Sequence, residues 1–201
     1  VGADGTPVYR LWGQGSIPIR FVINNQTSDA LANVEAGSDP LNAIRMGFQA
    51  WEAVSTSSAA FIDGGLIGIT NSGFDLVNVV SMVDSERFVS SGILGLTLSF
   101  VSPRGGAVGF AGGPVVQNSF PGQVVDSDII FNRNERFTTL GNEELNDLES
   151  VATHEIGHLL GLDHVTILSA TMRPFITVGA TTSRSLDFDD AFAVSNLYPG
   201  A

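Results

Sequence analysis

Every histidine in this chain falls in one run, His154-Glu155-Ile156-Gly157-His158-Leu159-Leu160-Gly161-Leu162-Asp163-His164. The spacing HExxHxxGxxH is that of a zinc site. His154 and His158 are four residues apart, so on a helix both rings project from one face, a turn apart. From there they reach a single ion at roughly 2.0–2.1 Å. Glu155, next to the first of them, can turn its carboxylate to a metal-activated water as general base. Gly161 can adopt the left-handed conformation that ends a helix, which brings the chain back so that His164 supplies a third ligand. Three imidazoles leave a fourth position open for water, as in catalytic rather than structural zinc sites.

The residues around this run resemble the metzincin peptidases. Ser169-Ala170-Thr171-Met172-Arg173-Pro174-Phe175 is similar to the family's Met-turn, in which the methionine forms an apolar floor under the ligands. Astacins and serralysins carry a tyrosine two residues beyond that methionine. Here the position is Pro174, as in matrixins, the matrix-metalloproteinase branch. The stretches Leu145 to Ala152 and Leu186 to Tyr198 are similar to matrixins too, and Phe131 to Phe137 more loosely. The resemblance is tight over residues 126–198 and thinner before them, and it suggests a stand-alone catalytic domain of bacterial type. It implies an α/β (α+β) fold: a mixed twisted sheet, two long helices, then a small C-terminal part with the Met-turn and a last helix. The chain, 1–201, is expected to form one catalytic domain, an N-terminal subdomain of about 1–161 and a C-terminal one of about 162–201.

The resemblance also assigns roles. Gly161, Met172 and Pro174 support the site. Pro174, Phe175 and Ile176 line the pocket for the side chain after the cleaved bond, and Thr177 to Arg184 sets its depth. Asp189 and Asp190 match an aspartate pair of the last helix. Favourable charge at a helix N-terminus, roughly 0.3–1 kcal/mol, is enough to account for them. A buried role under the Met-turn is what the resemblance adds. The family's second, structural zinc is not expected, because Ile130 stands where one of its histidines would be. Calcium has oxygen-rich candidates in Asp126, Asp128 and Glu135, although Asn132 replaces an aspartate. Solvated charges at a strand end are the competing reading of those three.

Composition narrows the class. The 201 residues suit one domain with a single core. A hydrophobic share of 43% with 15% charged residues indicates a folded chain. No apolar run approaches the ~20 residues that span a bilayer, and Val1 to Pro7 show no signal peptide. Cysteine is absent, so thiol chemistry and cysteine-bound zinc are excluded; all nine basic residues are arginine, which excludes a lysine base. The net charge of −12 argues against nucleic acid or an anionic membrane as partner. Solubility and acidic calcium sites are both readings of that charge.

The positioning elements follow from periodicity. Ile17 to Asn24 alternates as a half-buried strand. Ser38-Asp39-Pro40 caps a helix whose stripe is Leu41, Ile44, Phe48, Trp51 and Val54. Leu76 to Val83 suits a central strand. Leu94, Leu96, Leu98 and Phe100 alternate with Gly95, Thr97 and Ser99, so one face should be buried. This strand occupies the matrixin edge position, where an extended peptide can pair with free backbone groups; an ordinary amphipathic strand has the same pattern. Pro103 to Gly122 reads as a long surface loop, and Asp126 to Asn132 as a strand. Asn146 and Glu149 resemble a capping box for a helix through both ligands to about Leu160. Asp187 can cap a last helix.

These readings converge on a secreted zinc endopeptidase that acts as a monomer on protein or peptide substrates held extended. His154, His158 and His164 are the ligands and Glu155 the base. A downstream glutamate as third ligand is excluded, since none follows Glu155. Asp163 is a neighbouring oxygen donor, solvated or supporting. The alternative function is a metzincin-like zinc-binding module without catalysis; a zinc hydrolase of non-peptide amides has no feature of its own in its favour. Ligand histidines must be neutral to bind metal, so activity is expected to fall in acid as they protonate. A pH–activity profile still flat at pH 4 contradicts this.

Overall fold

The computed structural model describes residues 9–84 and 92–200. The stretch Val1 to Pro7 lies outside the described residues, as do residues 85–91. Ten strands and three helices are described: β1 (Leu11–Trp12), β2 (Ile19–Asn24), α1 (Pro40–Glu52), β3 (Phe61–Ile67), β4 (Asn78–Ser81), β5 (Gly95–Val101), β6 (Gly106–Gly109), β7 (Val115–Ser119), β8 (Gln123–Phe131), β9 (Phe137–Thr138), β10 (Asn146–Asp147), α2 (Leu148–Leu159) and α3 (Phe188–Leu197). The main sheet runs β3-β2-β4-β8, with β1 beside the first residues of β8 and all these pairs parallel. Only β5 is antiparallel in this sheet, and among the described residues it pairs with β8 alone, which leaves its other side as an edge. This is the mixed α/β sheet expected, and β4 is central as its apolar run requires.

Helix α1 begins as its residues dictate: Pro40 occupies the first turn and the Asp39 carboxylate accepts from the Asn42 amide. Its stripe buries Ile44, Phe48 and Trp51 against the sheet and α2. The Trp51 indole N–H donates to the carbonyl of Thr153 at 2.8 Å, which fixes the two helices against each other.

Three local readings need correction. Residues 103–122 are not all loop, for β6 and β7 form an antiparallel hairpin within them; their glycines masked the short strands. The cap of α2 is Asp147, whose carboxylate accepts from the Ser150 amide, while Asn146 pairs in β10 and Glu149 faces Arg184. Strand β5 is half-buried along its whole length rather than on one face. Its polar side, with Thr97, lies against α2, and on the other side Phe100 meets Phe74.

Asp126 and Asp128 are not solvated. On β8 they point away from Ile129, which belongs to the helix side, and both are buried. Asp128 accepts from the Gly73 and Val79 amides at 2.8 and 2.9 Å, and Asp126 from those of Asp75 and Leu76. The two carboxylates therefore replace a strand as acceptors for the 73–79 segment. Glu135 accepts from the Gly92 amide instead.

Burial pushes Asp128 from 3.8 up to about 7, against the pull of its two amide donors. A folded pKa above the unfolded one adds stability below 3.8 that is lost as pH rises through about 7. Urea unfolding is therefore expected to show the stability of wild type relative to Asp128→Asn falling by about 1–4 kcal/mol between pH 4 and 7.

Candidate active site

The ligand helix ends where glycine permits. Gly161 has φ +95°, its amide donates to the His158 carbonyl, and the Leu162 amide reaches the Gly157 carbonyl. These two bonds are a Schellman cap, and they reverse the chain within one turn. A Cβ at residue 161 would meet the Arg10 carbonyl oxygen at 1.9 Å, so this turn is also pressed against the segment leading into β1. Arg10 pairs with Asp163, and the Trp12 indole donates to the Leu159 carbonyl.

Reversal brings the three rings together. The Nε2 atom of His164 lies 3.2 Å from that of His154 and 3.1 Å from that of His158. Each of the helical histidines has its Nδ1 2.7 Å from a carbonyl, Thr171 for His154 and Leu162 for His158. Those carbonyls take the Nδ1 protons, which leaves lone pairs on Nε2. Burial lowers His154 to about 4 and lowers His158 as well, so both rings are neutral at pH 7. Three nitrogens at 2.0–2.1 Å from a tetrahedral ion stand about 3.3–3.4 Å apart, so the cluster fits zinc. It is the only such group of potential ligands among the described residues; Asp126, Asp128 and Glu135 do not converge.

Glu155 lies in the floor of the same cleft, which holds about 760 Å³ between β5 and residues Pro174–Val178. The residue is 5% exposed, and burial pushes its carboxyl up to about 7 while the Thr97 hydroxyl pulls the other way. A pKa there suits a group that takes and returns a proton at neutral pH.

Below the ligands, Met172 is buried against Gly157, where a Cβ would meet its sulfur at 2.2 Å. Gly157 is thus the small residue that lets the Met-turn approach the helix between the two ligands. Asp190 sits underneath: it accepts from the amides of Thr171, Met172 and Asp187. Of the two readings of the aspartate pair, burial under the Met-turn holds for Asp190, while Asp189 stays in the first helical turn, part-exposed. Pro174, Phe175 and Ile176 line the cleft opposite β5. The segment that follows is tied down by Arg184, whose guanidinium donates twice to Asp147, at 2.9 and 2.5 Å. The sequence carried no local sign of that bidentate pair, or of Thr97, because each partner lies tens of residues away.

Fold, ligand cluster and Met-turn together define a zinc-peptidase architecture. A family model described as Matrixin matches residues 89–199, over half of the chain, and the chain belongs to the matrixin family. It is 38% identical over 87 residues to stromelysin-3 of Mus musculus, covering 43% of this chain and 17% of that protein. Matrix metalloproteinase-16 of Homo sapiens is 38% identical over 89 residues, covering 43% and 14%. Karilysin of Tannerella forsythia is 52% identical over 52 residues, covering 26% and 10%. The matched part thus spans under a fifth of each of these relatives.

Replacing Asp190 by Ala leaves three amide donors without their acceptor. It is expected to cost about 2–4 kcal/mol in urea unfolding and to release zinc at lower chelator concentration. Asp189→Ala should stay within about 1 kcal/mol.

Proposed function

We propose that this chain is a zinc-dependent endopeptidase with His154, His158 and His164 as the metal ligands and Glu155 as general base. The observation that carries the reading is the shared cleft: three convergent imidazole nitrogens, one buried carboxylate and the open edge of β5 all face it. Zinc held there would polarise the scissile carbonyl and acidify water.

The protein's own groups do the rest. An extended substrate pairs with the free backbone of β5, which sets its scissile bond over the histidines. Glu155 takes a proton from water as the oxygen adds to the carbonyl carbon, and returns it to the amine nitrogen as the C–N bond breaks. Thr171 and Leu162 hold the ligand rings in one tautomer through both steps. The side chain after the cleaved bond enters the apolar pocket beside Pro174, Phe175 and Ile176, which favours a medium-to-large apolar residue.

Gly161, Met172 and Pro174 support this site, and residues 1–201 form one catalytic domain divided near Gly161. The substrate is a protein or peptide, neither nucleic acid nor membrane, and the enzyme acts as a secreted monomer. Family membership and the acidity of the chain support that reading. No helix among the described residues is long and apolar enough to cross a membrane.

Cleavage of an unfolded protein by wild type and Glu155→Ala, each assayed for zinc, tests the proposal. Both are expected to hold zinc, with the variant slower by at least ~10²–10⁴-fold. Wild type that binds zinc yet cuts no substrate would instead favour the non-catalytic binding module.

A further inference from the structure

Glu155 is held from two directions. Its backbone belongs to α2, but its carboxylate extends onto the inner face of β5. The Thr97 hydroxyl lies 2.7 Å from Glu155 Oε2 and 2.9 Å from the Glu155 carbonyl oxygen. Two residues earlier on the same face stands Gly95, where a Cβ would meet the carboxylate oxygen Oε1 at 2.6 Å and Cδ at 2.8 Å. The strand thus offers a bare stretch of backbone for the carboxylate to lie on and one hydroxyl to grip it.

We propose that Thr97 is a positioning residue for Glu155, its hydroxyl fixing the direction in which the base presents its free oxygen to the cleft. The inference depends on Glu155 being the base, as proposed above. Three features support it. A glutamate side chain has three rotatable bonds, and a buried one with a single donor is oriented by that donor. Among the described residues, Thr97 is the one side chain that hydrogen-bonds this carboxylate. A hydrogen bond to a charged acceptor is also the stronger kind, and a β-branched threonine on a strand has a restricted χ1 with which to direct it. Because β5 is also the strand on which the peptide would pair, one element then sets both the substrate and the base.

The test compares Thr97→Val, Thr97→Ala and Thr97→Ser with wild type, measuring kcat, KM, bound zinc and melting temperature. Valine keeps the shape and removes the donor, alanine removes it without a methyl against the carboxylate, and serine keeps it. Val and Ala are expected to lower kcat about 10- to 100-fold with KM within about twofold and zinc retained. Serine should restore kcat to within about threefold of wild type. A crystal structure of the Val variant should show the carboxylate turned away from residues 95 and 97.

Full kcat in both Val and Ala, or a loss carried by KM, overturns the positioning role. So does a Ser variant as impaired as Val. Glu155→Ala separates the two levels: if it stays active, the base assignment itself fails and this inference with it. If it is inactive while Thr97→Val and Thr97→Ala are unimpaired, only the role of Thr97 fails.

Discussion

Three imidazoles converge on one point, and the rest of the site is arranged around that convergence. The Nε2 atoms of His154 and His158 stand 3.2 and 3.1 Å from that of His164, an approach that needs restraint from outside the rings. The surrounding protein must supply that restraint, and most of the C-terminal part can be understood as doing so. The Thr171 and Leu162 carbonyls anchor two rings by Nδ1. Asp190 anchors the Thr171–Met172 peptide by accepting from the Met172 amide, so a carboxylate reaches the ligand His154 through one peptide unit. The Schellman cap at Gly161 sets the angle at which His164 returns.

The buried carboxylates of Asp126, Asp128, Asp190 and Glu155 are used in two distinct ways. Asp128 and Asp126 organise backbone, accepting amides that have no strand to pair with. Asp190 does the same beneath the Met-turn and caps α3 as well. Glu155 has one hydroxyl donor and lines the cleft, which Asp126, Asp128 and Asp190 do not. Burial raises the proton affinity of Asp128 and Glu155 alike. What separates a structural acid from a reactive one is access to the cleft.

Much of the site was legible because it is local. The i, i+4 histidines, the adjacent glutamate and the glycine that ends the helix lie within a dozen residues, and helical geometry brings them together. The stripe of α1 and the central position of β4 followed from periodicity for the same reason. The parts that escaped depend on distant partners. Acidic residues on a strand look solvated until the 73–79 segment is seen to need acceptors. Thr97 looks like the outer side of an amphipathic strand until α2 is placed over it. Asp147 displaced Asn146 as the helix cap because the Asn146 side chain donates to the Arg136 carbonyl and Arg184 draws Asp147 into place. A glycine-rich stretch hid a hairpin, since β6 and β7 are short and largely exposed.

The pressing of the Gly161 turn by residues 10–12 has a consequence for how the molecule assembles. The Trp12 amide donates to the Tyr198 hydroxyl, across 186 positions of sequence, and that hydroxyl donates to the Leu160 carbonyl. Contacts between such distant residues close only after most of the chain's conformational entropy has been spent. The turn that presents His164 therefore draws its outer support from contacts that are far more costly in chain entropy than those of the helix bearing His154 and His158. An ion that recognises only the completed trio binds the finished molecule in preference to its precursors. Metal affinity in this architecture measures how tightly two remote stretches of chain are joined, as well as the quality of three nitrogen ligands.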